Sequence, residues 1–199
     1  MPSVCISAGH YPKAPGACWP PQDKKGFCEH QEAVKWVQSI ANAMQYDDLE
    51  VFIVPSGGLK KKVKWINKHN VDLAVEIHFN ACGGCSARGS ETLYYPYSTR
   101  GKKVAEIIQK YLGDVCPPSR GVKEGWWGMD RPGVEDYPGD VDGDEKPDFF
   151  LKYTNCTAVI VEPEFIHNVS VIEERREYGS YVLAAAIAEA ADAISRKII

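Results

Sequence analysis

Apolar positions follow two patterns along the chain. Short apolar runs predict buried strands at Val4–Ser7, Glu50–Val54, Val71–His78, Glu91–Tyr95 and Thr157–Val161. Apolar residues three or four positions apart predict amphipathic helices at 30–45, Leu59–His69, Thr99–Leu112 and Tyr181–Ile198. Strands that alternate with helices predict a single α/β domain. Its twisted, mainly parallel sheet should have about five to six strands, with helices on both faces.

Two long segments lack either pattern. Residues 8–28 are rich in proline and glycine, which predicts a loop. Residues 113–150 are rich in turn-forming and aromatic residues, and loops of this length are usually functional. We therefore predict a substrate-side loop at about 113–150, with a short strand near Arg120–Lys123. After the last strand, Ser170–Glu173 matches a capping box at the start of a helix.

Composition narrows the classes of function. The chain has 199 residues, of which 44% are hydrophobic and 25% charged, as in ordinary soluble globular proteins. Its net charge of −4 predicts no affinity for nucleic acid or for an anionic membrane. No apolar run approaches the ~20 residues that span a bilayer. The start of the chain, MPSVCISAGHY, lacks the basic and apolar regions of a signal peptide, so we expect synthesis in the cytoplasm.

The seven cysteines are many for this length, and their number is odd. Without a signal peptide, reduced thiols are the expectation. Cys5 and Cys156 lie in or beside apolar strands, which predicts small core residues. The pair Cys82 and Cys85 forms a CxxC motif just after a strand. A loop or disulfide staple is favoured there over a metal role or thioredoxin-like redox chemistry, because no helix follows directly.

Polar residues follow three of the predicted strands. His10, His78 and Glu162 come at or just after strand ends, and ligands of α/β sheets bind at the carboxyl ends of strands. Two histidines and a carboxylate form a His2Glu set, which is typical of catalytic zinc sites. The carboxylate ligand has to be a residue other than Glu162 if Glu162 acts as the base. The candidates are Glu29 and Glu32, near the start of the first helix. Glu29 is favoured because it continues the apolar stripe of the first helix, whereas Glu32 lies on a face that we expect to be less buried.

Glu162 is then left for proton transfer. A carboxylate beside a metal can accept the proton of the attacking water and pass it to the leaving amine. Glu164 is two residues further on, and in an extended segment its side chain would lie on the same side as that of Glu162. It is therefore the alternative base or a partner of the site. Glu76 should share the face of His78 and lie close to the metal.

Five motifs resemble one enzyme family when they are taken together. They are ISAGH (6–10), Glu29 at a helix start, EIHFNA (76–81), GSETLYY (89–95) and VIVEPEFIHN (159–168). They are similar to those of the zinc-dependent N-acetylmuramoyl-L-alanine amidases of the amidase-3 type. The sequence departs from the family pattern at Glu76, where serine is usual, and at Glu164, where glycine is usual.

This resemblance implies one zinc ion on His10, Glu29 and His78, with Glu162 as the catalytic acid and base. The number of residues between Glu29 and the second strand matches the family pattern without a gap. With Glu32 as the ligand, the chain would have to be shifted against that pattern. The implied reaction is hydrolysis of the amide between N-acetylmuramic acid and the L-alanine of a peptidoglycan stem peptide. With neither a signal peptide nor an appended wall-binding module in the sequence, we expect an enzyme of the phage-lysin type, which acts on the cell wall after release or outside the cell, and we expect a monomer.

Two alternatives remain open. Glu76, Glu164 and the long loop are also consistent with a zinc peptidase or amidohydrolase acting on another amide. A catalytically inactive cell-wall-binding domain of the same fold is the other alternative, although such a domain would have no reason to keep both histidines and Glu162.

Weaker signals have two interpretations each. Asp140–Asp144 resembles the start of a calcium loop but lacks its later glycine and glutamate, which favours a solvated acidic turn. Five aromatic residues could stack on substrate or pack the long loop onto the domain: Trp126, Trp127, Tyr137, Phe149 and Phe150. Three cations could meet substrate carboxylates or line a solvated rim: Arg120, Lys123 and Arg131. Three histidines without a partner at useful spacing predict surface positions: His30, His69 and His167.

Overall fold

A computed structural model describes residues 1–23, 26–45, 48–82, 86–126 and 147–199. The strands are β1 (Ser3–Ala8), β2 (Cys18–Trp19), β3 (Phe27–Cys28), β4 (Glu50–Ile53), β5 (Leu73–Ile77), β6 (Ser90–Tyr94), β7 (Ser119–Glu124) and β8 (Thr157–Glu162). The helices are α1 (Glu29–Met44), α2 (Leu59–His69), α3 (Thr99–Val115), α4 (Phe149–Tyr153) and α5 (Val169–Ser195).

Six strands form the central sheet in the order β4-β1-β5-β8-β6-β7. The first four are parallel, β6 runs antiparallel to β8, and β7 is parallel to β6. Because β1, β5 and β8 are adjacent and parallel, their carboxyl ends meet at one edge. The prediction of a single α/β domain with a mainly parallel sheet of five to six strands is confirmed.

Each face of the sheet carries its own layer of helices. Leu73, Val75 and Ile77 of β5 pack in one core with residues of α1, α3 and α5. Ala74 packs in a second core with residues of α2 and α4. Alternate residues of one strand therefore reach opposite layers. This explains why the neighbouring positions Leu73, Ala74 and Val75 are all apolar, as in buried parallel strands.

The last helix begins earlier than predicted. It starts at Val169 rather than at Tyr181, because Ile172, Gly179 and Ser180 are buried although polar residues surround them in sequence. Asn168 occupies the N-cap position, and no side-chain cap bond forms there. The capping box predicted at Ser170–Glu173 is therefore wrong.

The two segments predicted as loops contain short elements. In the first, β2 and β3 form an antiparallel ribbon that the Cys18–Cys28 disulfide closes, so the expectation of reduced thiols is wrong for this pair. Cys82 is also disulfide-bonded. In the second, β7 confirms the predicted short strand, whereas α4 was not predicted.

Several predictions lie outside the described residues. They concern Cys85, Trp127, Arg131, Tyr137 and the acidic segment Asp140–Asp144. Across the described parts of the chain, none of the helices has the length and apolar character needed to cross a membrane.

Candidate metal centre

Three side chains converge at the carboxyl edge of the parallel strands. His10 lies two residues after β1, His78 lies one residue after β5, and Glu29 is the first residue of α1. One potential ligand atom from each residue lies within 4.8 Å of the others. His10 Nε2 is 3.1 Å from Glu29 Oε2, and His78 Nδ1 is 3.5 Å from the same oxygen. The structure thus brings together the three residues that the sequence suggested as ligands.

The backbone packs closely against the rings of both histidines. His10 has φ 57°, a left-handed conformation that non-glycine residues adopt rarely. A Cβ atom on Gly9 would lie 2.7 Å from the His78 ring. A Cβ atom on Gly16, whose φ is +80°, would lie 2.5 Å from the His10 ring. Glycine at these two positions lets the backbone approach both rings.

Glu29 is held by the ribbon that precedes α1. The amide of Ala17 donates to Glu29 Oε1 at 2.7 Å, and the amide of Glu29 donates to the Ala17 carbonyl at 3.0 Å. Ala17 and Glu29 are each sequence neighbours of a cysteine in the Cys18–Cys28 disulfide. One carboxylate oxygen of Glu29 is therefore fixed by backbone, and the other faces both histidines.

The electrostatics of the three residues match a cation site. Burial acts to raise the pKa of Glu29, but hydrogen bonds from His10 and His78 lower it to about 2. Burial acts to lower the pKa of His78, but hydrogen bonds to Glu29 and Glu76 raise it to about 10. The site therefore favours an ionised carboxylate and positive charge beside it. Imidazole nitrogens with one carboxylate are a donor set suited to Zn²⁺, so the residues present fit that ion.

Glu76 approaches His78 from the α2 side of the sheet. Its Oε2 lies 3.1 Å from His78 Nε2, the ring nitrogen that faces away from Glu29. Its other oxygen accepts from Ser7 and forms an ion pair with Lys62. The expectation that Glu76 lies on the side of His78 and close to the candidate metal ligands agrees with this contact. The sequence did not indicate Lys62.

Glu162 ends β8 beside the three residues. It is half-buried, and its Oε2 accepts no hydrogen bond from the described residues. Burial raises the pKa of Glu162 to about 7, with opposing contributions from His78, which lowers it, and Glu91, which raises it. A carboxyl group with a pKa near neutrality can both accept and release a proton under physiological conditions.

A cluster of charges flanks Glu162 on the next strand. Glu91 of β6 is the register partner of Glu162. Glu91 Oε2 accepts from Arg120 at 2.6 Å and also binds Lys123, while Oε1 accepts from Asn80 at 2.7 Å. Each cation keeps about a third of its side chain exposed, at 34% and 31%. Asn80 is thus a loop-fixing residue, and the two predicted rim cations are anchored to a buried carboxylate.

The two alternative carboxylates have other partners. Glu32 is only 1% exposed, so the expectation that its face of α1 is less buried is wrong. It accepts from Arg176 of α5 at 2.9 Å and pairs with Lys35, because α5 covers this side of α1. Glu164 accepts from the amides of Gly89 and Phe165 and from Asn168, which ties the loop before β6 to the loop between β8 and α5.

Other predicted residues have mixed outcomes. His30 is buried, with Nδ1 2.8 Å from the Gly9 carbonyl, so its predicted surface position is wrong. Phe150 is a residue of α4 and belongs to the core between the sheet and the layer of α2 and α4. Trp126 packs edge-on against Tyr97. Cys5 is a core residue, as predicted. A cavity of about 150 Å³ opens beside His10, Glu76 and His78, on the side of α2.

Solved structures show the same fold. An N-acetylmuramoyl-L-alanine amidase from Clostridium difficile 630 is 22% identical, with a TM-score of 0.73 over 96% of this chain and 94% of that one. The catalytic domain of the CD27L endolysin targeting Clostridia difficile is 23% identical, with a TM-score of 0.67 over 96% and 97%. The catalytic domain of CwlV, an amidase from Bacillus (Paenibacillus) polymyxa var. colistinus, is 21% identical, with a TM-score of 0.70 over the whole of both chains.

Sequence comparison gives the family. No curated protein has a significant sequence match to the chain. The model of the Amidase_3 family, described as N-acetylmuramoyl-L-alanine amidase, matches residues 4–194. This match spans the five motifs and all three residues of the candidate metal centre, and it confirms the resemblance found in the sequence. The chain therefore belongs to the amidase-3 family of N-acetylmuramoyl-L-alanine amidases.

Proposed function

We propose that this chain hydrolyses the amide between N-acetylmuramic acid and the L-alanine of the peptidoglycan stem peptide, with one zinc ion on His10, Glu29 and His78. The observation that carries the proposal is the convergence of these three donors beside Glu162, in a chain of the amidase family. The peptidoglycan substrate, with its glycan strand and stem peptide, follows from the family.

The site divides the chemistry between the ion and the chain. When bound, zinc supplies a Lewis acid that polarises a carbonyl and makes water more acidic. Glu162 accepts a proton from the water that attacks the lactyl carbonyl carbon, and it then donates that proton to the departing nitrogen. The carbon–nitrogen bond breaks, which leaves a carboxylate on the muramic acid and a free amine on L-alanine. No serine or cysteine nucleophile is required.

The pKa of Glu162 suits this double role. Because burial raises the pKa of Glu162 to about 7, the proton is neither held too tightly nor released too readily near neutral pH. Glu164 is less suited, because it already accepts from two backbone amides and from Asn168. We therefore assign proton transfer to Glu162.

The peptidase alternative loses two of the three features that motivated it. Glu76 and Glu164 favoured a peptidase or another amidohydrolase when they had no assigned partners. Each has a local structural role here, Glu76 at His78 and Glu164 between loops. An inactive wall-binding domain would not need Glu162 half-buried beside three potential ligands, with an Oε2 that accepts no hydrogen bond from the described residues. We propose action at the cell wall, in the manner of an endolysin.

Digestion of purified peptidoglycan followed by mass spectrometry of the products tests the reaction. The expected products carry a free lactyl carboxylate on the glycan and a free amine on L-alanine, and chelation should abolish their formation. Glu162→Gln should retain zinc and lose ~10²–10⁴-fold in rate. Glu173→Gln, on the exposed side of α5, is the matched control. Cleavage within the stem peptide would instead support the peptidase alternative, and full turnover without metal would overturn the mechanism.

A further inference from the structure

Lys62 and Glu76 form an ion pair inside the protein. Each is only 2% exposed, and they join α2 to β5 beneath the carboxyl edge of the sheet. Removing two charges from water costs free energy that their mutual attraction often fails to recover. A buried pair of this kind therefore calls for a role beyond holding a helix to a sheet.

The pair fixes both strands that lead into the histidines. Lys62 Nζ donates to the Ala8 carbonyl at 2.7 Å, two residues before His10. Glu76 Oε1 accepts from Lys62 and also from Ser7 Oγ at 3.0 Å, which joins β5 to β1. One oxygen of Glu76 is thus saturated by two donors from neighbouring elements. The carboxylate can hardly rotate, and its second oxygen is aimed at His78.

This arrangement selects one protonation form of the His78 ring. An ionised carboxylate can only accept hydrogen bonds, so the ring nitrogen 3.1 Å from Glu76 Oε2 must carry the proton. That nitrogen is Nε2. Nδ1 lies on the other side of the ring, 3.5 Å from Glu29 Oε2, and a bound ion would take the place of its proton. His10 differs, because its Nε2 is the nitrogen that faces Glu29, at 3.1 Å.

We propose that Lys62 and Glu76 are positioning residues that hold His78 as the Nε2–H tautomer and present its Nδ1 to the metal. The proposal rests on the metal centre of the proposed function. Hydrogen-bonded carboxylates behind ligating histidines orient the ring and strengthen its binding of metal. The two histidines of this centre accordingly bind through different nitrogens, His10 through Nε2 and His78 through Nδ1.

Nitrogen NMR of the zinc-loaded protein, labelled with ¹⁵N-histidine, tests the tautomer directly. His78 should show a protonated Nε2 and a metal-bound Nδ1, while His10 shows a metal-bound Nε2. The signals of His30, His69 and His167 serve as references from outside the centre. A protonated Nδ1 on His78, with its Nε2 on the metal, would overturn the proposal even if the enzyme were fully active.

Zinc affinity of variants separates positioning from simple structural support. Glu76→Gln should weaken zinc binding ~10–100-fold. The double variant Lys62→Met with Glu76→Leu replaces the ion pair by apolar groups of similar volume, which often preserves stability. It should unfold thermally near the wild-type temperature when metal-free, yet bind zinc as weakly as Glu76→Gln. Wild-type affinity in the double variant would mean that the pair only supports the fold.

Glu32→Gln is the matched control, because Glu32 is an equally buried carboxylate that pairs with Arg176 away from the centre. It should bind zinc as the wild type does. A wild-type chain that binds no zinc would overturn the proposed function itself. Normal zinc binding by both the wild type and Glu76→Gln would overturn only the role assigned to Lys62 and Glu76.

Discussion

Replacing the proposed base should make the metal-free protein more stable. Burial raises the pKa of Glu162 from 4.5 to about 7, so the folded state disfavours the ionised form. The unfolded chain binds fewer protons than the folded one between these values, and stability is therefore lost as the pH rises from 4.5 to 7. This difference between the folded and unfolded pKa of Glu162 lowers the free energy of unfolding by about 3 kcal/mol above pH 7. Glu162→Gln removes this penalty because glutamine does not ionise.

Thermal unfolding in the presence of a chelator measures the effect. For a domain of this size, about 3 kcal/mol corresponds to a Tm higher by about 6–12 °C at pH 8. At pH 5 the penalty is under about 1 kcal/mol, so the difference between Glu162→Gln and the wild type should nearly vanish. Glu173→Gln, in which an exposed carboxyl is changed, should alter Tm little at either pH. A Glu162→Gln protein no more stable than the wild type at pH 8 would refute the assigned cost of burying this carboxylate.

Three further predictions concern the metal centre. Glu29→Gln should lose most zinc affinity in calorimetric titration, whereas Glu32→Gln should keep it; the reverse result would exchange the assigned ligands. Serine at Cys18 and Cys28 should weaken zinc binding, since the disulfide encloses the segment that holds Glu29. An unchanged affinity would show that the ribbon needs no disulfide. Because the pKa of His78 is raised to about 10, protons compete with the ion, and zinc affinity should fall up to about tenfold per pH unit below that value. A flat affinity between pH 8 and pH 6 would contradict this competition.

The fold was predictable because its signals are local. Apolar runs marked the strands, and the parallel order followed from their alternation with helices. The meeting of His10 and His78 also follows, since β1 and β5 are neighbours in the sheet. The ribbon of β2 and β3 was missed because two-residue strands have no periodicity, and only tertiary contacts and a disulfide hold them.

The misjudged residues depend on long-range packing. The burial of Glu32 comes from Arg176, which is 144 positions away, so no local pattern could indicate it. His30 is buried through a contact with the Gly9 carbonyl, 21 positions away. Lys62 looked like one cation among several on a basic helix. Its role depends on which strand lies beneath α2, which the sequence alone did not specify.

Two carboxylates near His78 have opposite environments, and this contrast supports the assignment of roles. Burial acts to raise the pKa of Glu76, but His78 and Lys62 lower it to about 2, so Glu76 stays ionised. Burial raises the pKa of Glu162 to about 7, and among the described residues nothing donates a hydrogen bond to its Oε2. Neighbouring acids whose pKa values are driven apart can take separate tasks. These environments fit the roles proposed above, in which an ionised Glu76 orients His78 and Glu162 carries the proton from water to the leaving amine.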